Sequence, residues 1–155
     1  MMIEPFEKKH LAEVAEIERL SFHDAWSEDA LLESIMSPLS YFYVCTEDGK
    51  VVGYMGMYAV AGEGSVTNVA VHPSARGKGF GRALVENAIA VGERLGLEYI
   101  TLEVRESNLT AQKLYEKCGF QKVGVRKNFY SFPKEHAVIM QWQGDNKQLR
   151  ILHNL

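Results

Sequence analysis

Residues 66–84 form the stretch whose residue types are best suited to chemistry. They read VTNVAVHPSARGKGFGRAL: a β-branched run, then glycines at every second position, then the start of an apolar-periodic segment. This order predicts a strand, a glycine-rich turn and the N-terminus of a helix. The first amides of a helix have no partner within it and lie at the positive end of its dipole. The turn adds the charges of Arg76, Lys78 and Arg82, so the stretch is suited to bind an anion such as a phosphate.

Spacing separates this turn from two common phosphate loops. A Walker loop requires serine or threonine after Gly-Lys, whereas Gly79 follows Lys78. A dinucleotide fingerprint requires G-x-G-x-x-G, and neither register fits, because Arg82 and Leu84 stand at the third glycine positions. Residues 76–81 read R-x-x-G-x-G. This motif resembles the acetyl-CoA signature of the GCN-type N-acetyltransferase superfamily. On spacing alone, a basic surface turn is an equal alternative.

A candidate base lies in the segment 99–105, which is predicted to be a strand because its alternate residues are apolar. Glu103 falls on the opposite face with Thr101 and Arg105. From alternation alone, Glu103 and Arg105 are best interpreted as surface charges. Acetyl transfer to an amine nevertheless needs a base, because a protonated amine has no lone pair. For an α-amine with a pKa of about 7.7–8.0, a carboxylate acting through a water suffices at neutral pH.

A candidate acid lies on the next predicted helix. Its apolar positions follow the i, i+3, i+4, i+7 pattern of a buried stripe, formed by Ala111, Leu114, Tyr115 and Cys118. Tyr115 on such a stripe is commonly a core residue, although a phenol there could protonate the thiolate of coenzyme A. Asn108 precedes the helix and is a good N-cap or a cofactor contact, and the sequence favours the cap.

A longer resemblance extends over residues 3–140. Residues 102–120 read LEVRESNLTAQKLYEKCGF, and together with Trp26-Ser27 and the runs 68–71 and 126–130 they closely resemble the bacterial ribosomal-protein-alanine N-acetyltransferases. The resemblance implies an α/β, single-domain GNAT acyl-CoA N-acyltransferase fold with a mixed central sheet flanked by helices. The expected domain is residues 1–142. The tail 143–155 lies beyond any predicted element and is assigned no function.

The resemblance also implies roles for individual residues. Glu103 aligns with the proton acceptor, Tyr115 aligns with the proton donor, and Tyr130 is placed in a loop beside the acceptor channel. The implied co-substrate is acetyl-CoA, attacked directly by the amine. No metal is expected, because the five histidines show no metal-ligand spacing. The expected acetyl-CoA contacts are Val69, Ala70 and Val71 for the pantetheine and thioester, Arg76, Gly77, Lys78, Gly79, Phe80, Gly81 and Arg82 for the pyrophosphate, and Asn108.

Periodicity, caps and turn residues predict the elements that position these side chains. Helices are expected at residues 9–20, from Ser27 to before Pro38, at 80–95 and at 109–117. Strands are expected at 3–6, 41–46, 51–60, 66–71, 99–105, 121–126 and 136–142. The expected buried residues of the first helix are Leu11, Val14, Ala15, Ile17 and Leu20. Asp48-Gly49 predicts a hairpin turn, whereas Gly62 and Gly64 are expected to break a strand.

Composition excludes several classes of protein. The 155-residue chain has a formal net charge of −3, which argues against a nucleic-acid-binding protein. Its two cysteines, Cys45 and Cys118, suit a reducing compartment. The N-terminus is charged where a signal peptide would be apolar. The longest apolar stretch, residues 51–62, is shorter than the roughly 20 residues of a membrane span. We therefore expect a cytoplasmic protein with neither nucleic-acid nor membrane partners.

Three functions remain open from the sequence. The first is a protein N-terminal acetyltransferase that acts mainly on a ribosomal protein beginning with alanine. The second is an acetyltransferase for a small amine, such as a polyamine or an aminoglycoside. The third is a non-catalytic acetyl-CoA sensor. The presence of both Glu103 and Tyr115 argues against the third, and the resemblance around Trp26 and residues 128–130 favours the first.

Overall fold

A computed structural model describes residues 1–144 of the protein. Within these residues, strands and helices follow one another in the order of an α/β fold. In chain order the elements are β1 (Met2–Pro5), α1 (Leu11–Ser21), α2 (Glu28–Met36), β2 (Ser40–Glu47), β3 (Lys50–Val60), β4 (Glu63–Val71), α3 (Phe80–Leu95), β5 (Tyr99–Arg105), α4 (Leu109–Lys117), β6 (Gln121–Ser131) and β7 (Lys134–Gln143). Short 3-10 helices precede α1 (Lys8–His10) and follow β4 (Pro73–Ala75).

The strands form a mixed sheet in the order β1-β2-β3-β4-β5-β7-β6. β4 and β5 pair in parallel, whereas β1 with β2, β2 with β3, β5 with β7 and β6 with β7 pair antiparallel. A parallel pair needs a crossover connection, and α3 provides it between β4 and β5. The predicted class, a mixed sheet with helices, is confirmed.

Tight turns connect the early strands. At the β2–β3 turn, Asp48 and Gly49 have φ values of 52° and 78°, as a two-residue type I′ hairpin requires. The β3–β4 connection is equally short, with Gly62 at a φ of 82°. β4 therefore already begins at Glu63, and the prediction that Gly64 breaks the strand is wrong: Gly64 is a buried strand residue opposite Ile100.

Local signals set the helix ends. The Ser27 hydroxyl oxygen accepts a hydrogen bond of 3.1 Å from the amide of Ala30, which confirms Ser27 as the N-cap of α2. Gly96 follows α3 with a φ of 66°, the left-handed conformation that ends many helices. The observed bounds of α3 and α4 coincide with the predicted residues 80–95 and 109–117.

The chain divides into two compact units, the first formed by Met1–Tyr58 and Val66–Ala88. Its apolar core comprises Phe6, Val14, Ile17, Leu31, Phe42, Val44, Val51, Tyr54 and Ala70. Leu20, expected on the buried face of α1, is 47% exposed. In this unit the carboxylate of Glu18 is buried and accepts hydrogen bonds from the Tyr54 hydroxyl, the Asn68 amide at 3.0 Å and the Trp26 backbone N–H at 3.1 Å.

The second unit comprises Ala59–Ser65 and the chain from Ile89 onward. Alternation along β5 buries Ile100, Leu102 and Val104 and leaves the intervening residues half-buried. A Cβ at Gly92 of α3 would lie 2.8 Å from Cδ1 of Ile100. An alanine at this position would therefore require the end of the Ile100 side chain to shift.

The last two strands are longer than predicted. β6 extends to Ser131, with a register shift between Arg126 and Tyr130 and a left-handed Asn128 (φ 54°). Residues 128–130, expected in a loop, thus belong to an irregular strand, because a bulge lets pairing resume beyond the interruption. Gln143, expected in the tail, ends β7, and the tail from position 145 lies outside the described residues. No helix within residues 1–144 is long and apolar enough to cross a membrane.

Candidate active site

The glycine-rich loop lies between β4 and α3, as predicted. Gly77 and Gly79 have φ values of 80° and 89°, a backbone region that side chains rarely adopt. A Cβ at either position would meet nothing within 4 Å. The glycines are thus required by the turn and not by packing within the protein, and the loop presents its backbone to open space.

The start of α3 follows directly. The amide of Ala83 donates to the carbonyl of Gly79 at 3.1 Å, which closes the first helical turn. The amides of residues 80–82 precede this bond and have no acceptor within the helix. No acidic side chain occupies the first turn. The positive end of the dipole of a 16-residue helix is thus presented at this loop.

Arg76 shapes the loop. Its Nε donates to the carbonyl of Val71, the last residue of β4, at 3.1 Å, and its Nη2 donates to Oγ of Ser21 at 3.4 Å. The guanidinium therefore ties the beginning of the loop to the end of the strand. The prediction that Arg76 contacts the cofactor stays a prediction. The observed contacts of Arg76, with Val71 and Ser21, stabilise the conformation of the loop.

Lys78 and Arg82 take part in exposed ion pairs. Nζ of Lys78 is 3.8 Å from Oε1 of Glu47, and Nε of Arg82 is 2.8 Å from Oε1 of Glu86 one turn along α3. All four side chains are at least 40% exposed, and ion pairs of this kind contribute about 0–1 kcal/mol. A phosphate group can therefore compete with these carboxylates for the two cations.

β4 ends beside this loop. Among the described residues, the ladder between β4 and β5 comprises Glu63–Ser65 and Tyr99–Thr101, so it does not include Val69, Ala70 or Val71. Ala70 is buried and its two neighbours are half-buried, as alternation along a strand requires. Backbone groups in an extended conformation are suited to pair with another extended, amide-containing chain.

Glu103, on β5 of the second unit, forms an ion pair with Arg126 of β6, with 3.4 Å between Oε1 and Nη1. Glu103 retains 30% side-chain exposure, and the Arg126 side chain is 58% exposed. The guanidinium also lies over the ring of Phe129, 5.4 Å from its centroid. The prediction that Glu103 lies on the face of β5 opposite the buried residues is confirmed, and the carboxylate is partly exposed and paired with Arg126.

Tyr115 lies on the buried face of α4. Its side chain is only 9% exposed and its ring centroid is 5.9 Å from that of Phe120. Burial, followed by the nearby Tyr130 and Cys118, raises the pKa of Tyr115 to about 12. The phenol is therefore protonated at neutral pH and able to donate.

Tyr130 lies near both candidate catalytic groups. Its pKa is raised by burial, then by the charge of Glu103 and that of Glu135, with Arg105 acting in the opposite direction. Tyr130 in turn raises the pKa of Tyr115. The structure thus brings together Glu103, Tyr115 and Tyr130, three residues that the sequence singled out from three separate elements.

Residues 11–120, which include the glycine-rich loop, Glu103 and Tyr115, match the acetyltransferase (GNAT) family. The chain belongs to this family. A ribosomal protein bS18-alanine N-acetyltransferase of Haemophilus ducreyi is 32% identical over 143 residues, or 90% of this chain and 97% of that protein. The crystal structure of the ribosomal-protein-S18-alanine N-acetyltransferase from Escherichia coli has a TM-score of 0.85 at 31% identity, and the alignment covers 94% of this chain and 97% of that one.

A spermidine N-acetyltransferase from Vibrio cholerae shares the GNAT fold, with a TM-score of 0.81 at 20% identity over 94% of this chain and 96% of that one. This likeness concerns the fold alone. The resemblance predicted from sequence, the fold class and an N-acetyltransferase activity are confirmed by the family and its relatives.

Asn108 has the role that the sequence favoured. Its Oδ1 accepts from the amide of Ala111 at 3.1 Å and so caps α4. The cap uses the oxygen and not the NH2 group of this side chain. The cofactor contact that the GNAT resemblance implies for Asn108 stays a prediction.

Arg105 and Glu135 were not predicted to have a role in the GNAT site. The Arg105 side chain is 29% exposed and that of Glu135 16%, and Nη1 of the arginine is 3.2 Å from Oε2 of the glutamate. Alternation had already placed Arg105 on the face of β5 that carries Glu103. No local signal identifies Glu135 as the partner of Arg105, because the two residues are 30 positions apart in the chain.

Proposed function

We propose that this GNAT protein transfers the acetyl group of acetyl-CoA to the N-terminal α-amine of a protein, with a ribosomal protein that begins with alanine as the main acceptor. The observation that carries the proposal is that an accessible carboxylate, Glu103, and a buried, protonated phenol, Tyr115, both lie near Tyr130: Glu103 raises the pKa of Tyr130, and Tyr130 raises that of Tyr115. The relatives that act on ribosomal protein bS18 support the choice of acceptor.

The strand end and loop of residues 69–82 would supply the binding groups for acetyl-CoA. The amides of residues 80–82, together with Lys78 and Arg82, are suited to the pyrophosphate. The backbone of residues 69–71 is suited to the pantetheine amides, and the amide of Val71 would polarise the thioester carbonyl. Arg76 would act chiefly by holding the loop in shape.

Glu103 and Tyr115 would supply the proton-transfer groups. Glu103, directly or through a water, accepts the proton of the attacking amine, so that the nitrogen lone pair can form the new C–N bond. As the C–S bond breaks, the electron pair passes to sulfur, and the hydroxyl of Tyr115 donates to it. Arg126 must yield its position at Glu103 when the amine approaches, because the two cations would compete for the same carboxylate.

An α-amine acceptor suits this carboxylate. An N-terminal ammonium has a pKa of about 7.7–8.0, whereas that of a lysine side chain is about 10.4. Near neutral pH, removing the proton from an N-terminal ammonium therefore costs much less free energy than removing it from a lysine ammonium. The reaction would take place in the cytoplasm, where ribosomal proteins are made and where Cys45 and Cys118, both thiols here, remain reduced.

The proposal is tested by acceptor competition. The purified protein is given acetyl-CoA and an alanine-initiated peptide, the same peptide with a blocked N-terminus and an internal lysine, spermidine, or an aminoglycoside. Acetylation of the peptide α-amine alone is expected, with the modified atom located by mass spectrometry. Efficient turnover of spermidine or the aminoglycoside, with the peptide ignored, would establish the small-amine alternative instead.

Tyr130 gives this test a residue-level readout. In a protein-acceptor site the Tyr130 hydroxyl would hydrogen-bond the peptide backbone, a contact of about 0.5–1.5 kcal/mol. Tyr130→Phe should therefore lower kcat/KM for the alanine peptide about two- to twelvefold. Tyr41→Phe, which changes a half-buried tyrosine on β2, is the matched control and should leave kcat/KM unchanged.

A further inference from the structure

The guanidinium of Arg105 fixes the turn between β6 and β7. Its Nη1 donates to the carbonyl of Pro133 at 2.9 Å, and its Nη2 donates to the carbonyl of Phe132 at 3.1 Å. These two carbonyls belong to consecutive residues of the turn that joins the strands. One side chain at the end of β5 thus holds both acceptors of a turn 27 and 28 positions away.

The same guanidinium engages Glu135, the second residue of β7. Nη1 of Arg105 lies 3.2 Å from Oε2 of Glu135, and the other carboxylate oxygen accepts from the backbone amide of Ser107. Hydrogen bonds from Ser107, followed by Arg105, hold the pKa of Glu135 below its ordinary value. The carboxylate therefore stays ionised at neutral pH and connects the turn to the segment between β5 and α4.

Arg105 also lies against the ring of Tyr130. Its Cζ is 4.3 Å from the ring centroid, within the range of a cation–π contact. Tyr130 stands opposite Glu135 in the β6–β7 ladder, so the ring, the carboxylate and the turn all converge on one guanidinium. At the tip of this turn the side chain of Phe132 is 60% exposed.

The position of the guanidinium is itself determined by the backbone. The carbonyl of Arg105 accepts from the amide of Asn108 at 2.9 Å and from Nε2 of the buried Gln112 at 3.1 Å. The arginine therefore projects from a fixed point at the end of β5. A planar fork can bond two carbonyls and a carboxylate while presenting its face to a ring, whereas an ammonium cannot do both.

We propose that Arg105 is a positioning residue for acceptor binding, which places the ring of Tyr130 and the β6–β7 turn without itself touching the acceptor. This rests on the proposed function, since it assigns Arg105 to the acceptor side of that site. Loss of the Arg105 guanidinium should let Tyr130 and the β6–β7 turn move. The acceptor would then bind more weakly, while the rate of acetyl transfer and the binding of acetyl-CoA persist.

The test is a double-mutant cycle on the alanine peptide. Arg105→Lys should raise the peptide KM about three- to tenfold, by loss of a contact of the size of one hydrogen bond, with kcat within twofold and the KM for acetyl-CoA unchanged. In the Tyr130→Ala background the same change should have almost no further effect, because both act through one ring. Arg94→Lys, on α3, is the matched control and should change none of these values.

Two further measurements separate positioning from general loss of structure. Hydrogen exchange of Arg105→Lys should quicken in residues 127–135 and stay unchanged in α3. Glu135→Gln keeps the carbonyl contacts and the ring contact of Arg105, so it should give a smaller rise in peptide KM, and it serves if Arg105→Lys does not fold.

The outcomes distinguish this inference from the proposed function. A wild-type protein that ignores the alanine peptide refutes the proposed function, whatever Arg105 does. A wild-type protein that acetylates the peptide, with effects of Arg105→Lys and Tyr130→Ala that multiply, refutes the positioning role alone. Unchanged peptide KM in both Arg105→Lys and Glu135→Gln refutes it as well.

Discussion

Replacing Tyr115 by phenylalanine isolates the contribution of one hydroxyl to the departure of the thiolate. The ring would remain, and with it the contact to Phe120 at a centroid distance of 5.9 Å, so the fold should be little disturbed. Tyr41→Phe is again the matched control. The size of the effect depends on how far the proton moves in the transition state.

The pKa of Tyr115 sets that extent. A pKa of about 12 exceeds the roughly 8.5 of an alkyl thiol by about 3.5 units. Full transfer to sulfur would thus be uphill by about 5 kcal/mol. We therefore expect the phenol to act chiefly as a hydrogen-bond donor to the developing thiolate, a contribution of about 1.5–3 kcal/mol. Tyr115→Phe should lower kcat about 10- to 150-fold.

The assay is thiol release from acetyl-CoA with the alanine peptide, followed from pH 6 to pH 10. Because the phenol stays protonated throughout this range, the wild-type rate should show no alkaline decline that Tyr115→Phe removes. Two results would refute the reasoning. Full kcat in the variant would mean that the hydroxyl does not act on the thiolate. A decline near pH 10, present in the wild type and absent from the variant, would mean that its pKa is not raised.

Two other perturbations test the remaining site. Glu103→Gln should lower kcat at pH 7 by roughly 10²–10⁴-fold, and kcat should recover at high pH, where the amine is already neutral. The control Glu106→Gln, which changes an exposed carboxylate, should leave kcat at pH 7 unchanged. A full rate for Glu103→Gln at pH 7 contradicts the base role. Gly79→Ala and Gly96→Ala both place a side chain on a left-handed glycine with open surroundings, so each should lower the free energy of unfolding by about 1–2 kcal/mol. Calorimetry should show weakened acetyl-CoA binding only for Gly79→Ala, and equal affinities would exclude the loop as the pyrophosphate site.

Features that depend on neighbouring residues were predictable from the sequence. The alternation of β5, the Ser27 cap and the glycine that ends α3 each follow from a few adjacent positions. The glycine-rich loop was also predictable, because its backbone needs left-handed residues at fixed spacing. The family resemblance supplied the roles of Glu103 and Tyr115, which periodicity alone assigned to a surface and a core.

Features that depend on distant residues were not predictable. Phe129 and Tyr130 are of types that favour strands, but the left-handed Asn128 interrupts the pattern, and residues 128–130 become part of β6 only by pairing with β7 across a bulge. Arg105 was interpreted as a surface charge, because its acceptors lie 27 and 28 positions further along the chain. Such contacts exist only once the sheet has formed, and no local pattern encodes them.

The buried carboxylate of Glu18 limits how the segment before α2 can be redesigned or diversified. It is anchored by the backbone N–H of Trp26 and not by the indole, so any residue but proline at position 26 can supply the donor. A loop of different length would not present that N–H at the same place, and the loss of one hydrogen bond to the Glu18 carboxylate would cost about 1.5–3 kcal/mol. The side chain at position 26 can therefore be varied, whereas a change in the length of this loop is expected to lower the free energy of unfolding.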